Sequence, residues 1–366
     1  MLSALLSAVV LFQVPLHTPA MKESLDAMAT LAPWLSSPDA FRDPQHFDDV
    51  ARALDTLSRL QHPFFRGSGT SSTSVGKLFG DQAAWARTEF LARNTESARY
   101  RTLGLASLCL GCHLREPARE FVDTQKRVER LGLPPLEQAE FFALTRQTDR
   151  ALSVWRKELS RPSRLDSELY AQLDGLRLAV QVAVRVRDDP KLVQQLLAPQ
   201  LFRFELPGFA LREVDAWNED AVAWEQDRFK LADQTPTTLM TRARQLIASS
   251  GAEETEAAMP VRFVALLRAA SSLDETLRQA PDGPYRAEAL YLLGVVHPSV
   301  ADHPLWQLEW MYFEACIREN PGAPIARTCA QRLEARTWYV WHTHEDMPAA
   351  TSAALEELLW IANGRP

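Results

Sequence analysis

The chain has 366 residues, 46% hydrophobic and 24% charged, the composition of a globular protein of two or three compact units. Forty basic against forty-seven acidic side chains leave a net charge of -7, which argues against a nucleic-acid-binding protein, whose phosphate contacts call for a basic face. Four cysteines are too few for a disulfide-stapled fold, and no run nears the ~18 consecutive apolar residues of a membrane-spanning helix.

Residues Leu2 to Phe12 form a short apolar run, followed by a Pro15–Pro19 break and the small residue Ala20. This has the form of a secretory signal over residues 1–20, although its leading end carries no Lys or Arg. A buried first helix and an uncleaved anchor are the alternatives. Membrane association is expected only if the segment is retained.

From Met21 onward the spacing is helical. Leu25, Met28, Leu31 and Leu35 share one face, and Phe47, Val50, Leu54, Leu57 and Leu60 share another. Pro38 and Pro44 mark a turn between them, where His46 is expected to be solvent-exposed, as is His62 further on. The Gly67–Ser74 run is predicted to be a linker. A third helix is predicted over about Asp81 to Arg93. A fourth starts near Thr95 and carries Leu103, Leu105, Leu108 and Cys112 before Pro117 stops it. Four amphipathic helices with short connections suit an antiparallel bundle over residues 21–119. Further prolines divide the remainder into helical segments, a middle region over 120–236 and a last region over 237–366. Strand signals are nearly absent, so the predicted class is all-α.

Residues 109 to 113 read Cys-Leu-Gly-Cys-His, the spacing of a c-type haem attachment site. On a helix, Cys109, Cys112 and His113 fall at i, i+3 and i+4 and share a face. Two thiols then reach the two vinyl groups while the imidazole takes the iron from the same side. A thioredoxin-like reading of Cys-x-x-Cys needs a βαβ setting that is not visible. A structural zinc site needs a second pair at suitable spacing, and Cys316 and Cys329 lie more than two hundred residues away.

A four-helix bundle whose last helix ends in this motif resembles the cytochrome c′ and cytochrome c-556 family, over about Met21 to Arg119. The resemblance implies one covalent haem c between the helices, with His113 as proximal ligand. It also implies a side chain of the first helix on the distal side, with Met21, Leu25 and Met28 as candidates. A methionine on iron gives a six-coordinate electron-transfer haem. Leu25 there instead leaves a five-coordinate iron open to small gases. Family members carry a basic residue four positions after the histidine; here that position is Pro117, flanked by Arg115 and Arg119, either of which can pair with a propionate.

In the last region, Ala287 to Gly294 and the run from Tyr312 to Ala335 are similar to tetratricopeptide repeats: a helix, an Asn-Pro turn and an Ala-rich helix. An earlier helix pair is expected within Thr241 to Ala280. Cys316 and Cys329 flank the turn and on antiparallel helices can face each other, as a disulfide or as two buried thiols. Trp338, Trp341 and Trp360 are expected to pack the last helices. Stacked helix pairs offer a concave surface to another protein. The reading is an exported, periplasmic or otherwise extracytoplasmic monohaem c-type cytochrome. It transfers electrons to a redox partner or envelope complex docked on the helical repeats, without nucleic acid. The alternatives are a haem-based gas sensor signalling through the repeats and a non-catalytic scaffold.

Overall fold

Helix α3 (Phe47–Arg59) shows how local sequence sets an element in this chain. Asp48 and Asp49 occupy its first turn and Arg59 its last, all three favourable to the helix dipole. Val50, Ala53, Leu54 and Leu57 recur at the spacing of one face, and all four are buried. The 3-10 turn ahead of it, Pro44–His46, starts at Asp43, whose carboxylate accepts the Gln45 backbone N–H at 2.9 Å.

The structure is a computed structural model that describes residues 19–35, 38–59, 71–112, 133–144, 147–163, 166–201, 206–227, 229–250, 262–300, 309–341, 347 and 349–364. Among the described residues every regular element is a helix and none is a strand, so the protein is all-α. Helix α1 (Pro19–Leu35) is followed by a short α2 (Pro38–Arg42), by α3, and by α4 (Ser71–Leu91) and α5 (Thr95–Cys112). Residues 71–74, expected in a linker, form the first turn of α4. Four small hydroxyl residues and neighbours are weak helix formers. The buried Phe79, Ala83, Ala86 and Phe90 further along hold the helix in place regardless.

Three reversals order these helices. Trp34 near the end of α1 stacks on His46 ahead of α3, ring centroids 5.0 Å apart. Phe47 at the start of α3 stacks on Phe90 near the end of α4 at 4.8 Å. A short turn at residues 92–94 then folds α5 back on α4. Helix α1 therefore runs antiparallel to α5, which it contacts directly. His46, expected to be exposed, is half-buried by its stack on Trp34.

The middle of the chain holds α6 (Pro135–Leu144), α7 (Thr148–Leu159), α8 (Asp166–Arg185), α9 (Pro190–Leu197) and α10 (Gly208–Asp227). Asp189 starts α9 by accepting the backbone N–H groups of Lys191 and Leu192, with Pro190 in the first helical position. Then come α11 (Pro236–Ser250), α12 (Phe263–Gln279), α13 (Arg286–Val300), α14 (Glu309–Glu319), α15 (Pro324–Trp341) and α16 (Ala349–Ala362). Each of these packs on the next where both are described, from α11 against α12 to α15 against α16. Helix α12 is the most enclosed, touching α8, α10, α11 and α13. Its polar neighbours are paired accordingly: Arg185 with Asp274 at 2.7 Å, Arg262 with Asp220 at 2.6 Å, and both Arg242 and Arg268 with Asp227. Burial pulls the Arg268 guanidinium down to about 10.

Buried apolar residues form a connected cluster from Ala27 to Ala362, with a small satellite around Leu169 and Leu206. Among the described residues no helix is long and apolar enough to cross a membrane. The turn between α14 and α15 is closed by the Cys316–Cys329 disulfide, with Cα atoms 6.4 Å apart and both cysteines fully buried. Gly322 in this turn has φ +74 and meets the backbone of Gly364, while its N–H donates to the Ile361 carbonyl at 3.2 Å. That contact ties the end of α16 to the turn. Trp360, expected to pack inside, is 45% exposed on α16, because the inward face of that helix is taken by Leu355, Leu358 and Ala362.

Helices α13 and α14 approach so closely that a Cβ on Gly294 would stand 2.6 Å from Cδ1 of the buried Phe313. Gly294→Val is expected to lower stability by about 1–3 kcal/mol through overpacking. Adding Phe313→Leu should restore part of it. Urea unfolding of the two variants checks this; equal stability of Gly294→Val and the parent would refute the close approach.

Candidate functional site

Helix α5 carries the motif at its end. Its first three turns are closely held: Ser97, Ala98, Arg101, Thr102, Leu103 and Leu105 are all buried. Thr102 donates its hydroxyl to the Ala98 carbonyl at 2.6 Å. The helix touches α1, α2, α4 and α6, so it is enclosed rather than amphipathic. Cys109 and Cys112 both lie in its last turn. Three residues apart, their backbones are about 60° apart around the axis and about 4.5 Å apart along it. Their side chains lie outside the described residues, as do those of Met21 and Leu25; His113, Arg115 and Arg119 lie outside altogether.

Two arginines on α5 fix its placement from opposite sides. Arg99 donates Nε to the Leu35 carbonyl at 2.8 Å and so ties the end of α1 to the beginning of α5. Burial pulls its guanidinium below the usual range, and Glu96 opposes that. Arg101 points the other way and donates Nη1 to Gln82 Oε1 at 3.0 Å.

The Arg99–Leu35 tie supplies a register. Counting back along α1 and forward along the antiparallel α5 at about 1.5 Å per residue, Met28 stands about 10 Å from the tie and Met21 about 21 Å. Cys109 stands about 15 Å from it and Cys112 about 20 Å. Met21 is therefore level with Cys112 and Leu25 with Cys109, whereas Met28 falls short of both. Met28 is half-buried and packs against the apolar core. The candidates of the first helix thus separate by height.

The backbone spacing of Cys109 and Cys112 is compatible with two attachments to one group. Both thiols of the motif come from one helical turn, and the other two cysteines of the chain are bonded to each other. A zinc site assembled from both cysteine pairs is excluded by that bond. Among the described residues, no three His, Cys, Asp or Glu side chains cluster to hold a metal ion.

Residues that pattern reading missed lie between α5 and the last helices. Gln82 on α4 bridges Arg101 to Glu314 on α14, 232 positions along the chain. The only local signal was an arginine set among the apolar residues of α5. On the far side of α14, Glu309 is 3% exposed and faces Arg336 Nε across 3.7 Å. No family model, curated protein or solved structure matches this chain, so its class rests on its own residues.

Burial raises the Glu309 carboxyl above its usual range, with Arg336 opposing the rise. The folded state then binds a proton more tightly than the unfolded chain. The associated stability is present at acid pH and is lost as pH rises from about 4.3, the ordinary glutamate value, through the raised one. Glu309→Gln should remove this loss. Urea unfolding at pH 5 and pH 8 should show the variant gaining on the parent at the higher pH; a pH-independent difference would contradict the assignment.

Proposed function

We propose that this chain is an exported monohaem c-type cytochrome that carries electrons to a partner docked on its C-terminal helices. The observation that carries the reading is the Cys-Leu-Gly-Cys-His run, whose two cysteines close the last turn of an enclosed helix. Cys109 and Cys112 would hold a haem through two thioethers, and His113 would bind its iron. Once bound, the group supplies one-electron ferric–ferrous exchange. In this reading α1, α3, α4 and α5 form the haem bundle. Arg115 and Arg119 follow the motif closely enough to pair with the propionates.

The register along α1 supports Met21 or Leu25, the two residues level with the cysteines, as the distal residue in preference to Met28. Met21 there would suit the group to electron transfer. Leu25 there would leave it open to small gases, and that second reading stands on the same geometry. Helices α11 to α16 pack in sequential pairs, which supports a tetratricopeptide-like docking surface. A buried disulfide between Cys316 and Cys329 is in keeping with an oxidising compartment, where thioether attachment also takes place.

The test is a Cys109→Ala/Cys112→Ala variant, produced beside the parent in a host that attaches haem to exported proteins. Extraction with acidified acetone should leave porphyrin on the parent polypeptide and strip it wholly from the variant. A variant that still holds porphyrin covalently would overturn the assignment, as would a parent that releases it.

A further inference from the structure

A chain of polar side chains crosses from the motif-bearing helix to the C-terminal helices. Arg101 donates to Gln82 Oε1 at 3.0 Å, and Gln82 donates Nε2 to Glu314 Oε2 at 3.1 Å. Arg318 donates Nε to Glu314 Oε1 and Nη1 to Glu357 Oε1, each at 2.8 Å. Gln82, Arg101 and Glu314 are 3%, 8% and 1% exposed. The guanidinium carbons of Arg101 and Arg318 lie 5.0 and 5.9 Å from the ring centre of Trp85. This is a specific arrangement: a neutral amide joins a buried cation to a buried anion because its oxygen accepts from one and its nitrogen donates to the other.

Holding these charges away from water costs several kcal/mol per ion, and apolar residues of the same volume would join the helices with less strain on the fold. Their expense points to an electrostatic use. Buried charges are poorly screened, so they act over distances at which surface charges are lost to counterions. Arg101 precedes Cys109 by eight residues on the same helix, about 12 Å along its axis. Glu314 is joined to Arg101 through the Gln82 amide and lies on one of the C-terminal helices.

We infer that the Arg101–Gln82–Glu314 seam is a redox-tuning device through which the C-terminal helices set the reduction potential of the haem on α5. The inference rests on the proposed haem attachment. Reduction adds one electron, delivered by a one-electron donor protein, and so adds one negative charge at the porphyrin. Arg101 favours that charge and Glu314 opposes it. The balance between them fixes the potential, and Arg318 connects it to Glu357 on the exposed side of α16, where Trp360 lies one turn on.

Spectroelectrochemical titration of the haem-loaded full chain tests this with Arg101→Gln, Glu314→Gln and the double variant. Arg101→Gln should lower the midpoint potential, Glu314→Gln should raise it, and the double variant should return close to the parent. A merely structural seam would shift both single variants in the same direction or in neither, and that result would overturn the inference. If a buried variant does not fold, the surface variant Glu357→Gln serves at low ionic strength. It should raise the potential by less than Glu314→Gln would, and no shift there counts against the seam. A parent protein without covalent porphyrin fails before any potential is read, which identifies the attachment itself as the faulty step.

Discussion

Two thioethers to one porphyrin require that both sulfurs leave the same side of a single helical turn, and that turn must not move. In the proposed reading the requirement falls on the end of α5. Arg99 pins one side of the helix to the last carbonyl of α1. Arg101 pins the other to α4 and, through Gln82, to α14. The buried stretch from Ser97 to Leu105 supplies apolar contact between these anchors. The helix is thus gripped from opposite sides ahead of the turn proposed to hold the haem, which is the kind of support a fixed cofactor geometry asks of a scaffold.

How much of this was legible in the sequence differs by element. Helix α3 could be read almost to the residue, because Pro44 precedes it, two aspartates open it and its apolar residues keep strict helical spacing. The beginning of α4 could not. A run of serine, threonine and glycine reads as a linker by local preference, and only the burial of Phe79 and Phe90 further along makes it a helix. His46 looked like a surface turn residue until Trp34, from a helix that chain spacing does not bring to mind, covered it. Trp360 shows the opposite failure: an apolar residue type implies burial, but the side of the helix it occupies is decided by which neighbours take the core.

The Cys-Leu-Gly-Cys-His run was a purely local signal, since the proposed attachment chemistry would fix residue type and spacing within five positions. What surrounds it was not. The seam from Arg101 to Glu314 runs by way of one amide, Gln82, which lies 232 positions from Glu314, and no periodic pattern announces such a contact. The C-terminal helices show the same division. Their alternation of helix and turn was visible from prolines and small residues. The Cys316–Cys329 bond and the Gly322–Gly364 contact, both at the turn between α14 and α15, depended on three-dimensional proximity. Local chemistry therefore points to the candidate site, and long-range packing decides how its helix is held.

The central claim is that this polypeptide carries one covalent haem at Cys109 and Cys112. The intact mass of the protein, purified from the exported fraction of a haem-attaching host, tests it most directly. The account expects a mass equal to the processed chain plus one haem, with the added mass mapping to the peptide that contains residues 109–113. A mass equal to the amino acids alone would contradict it.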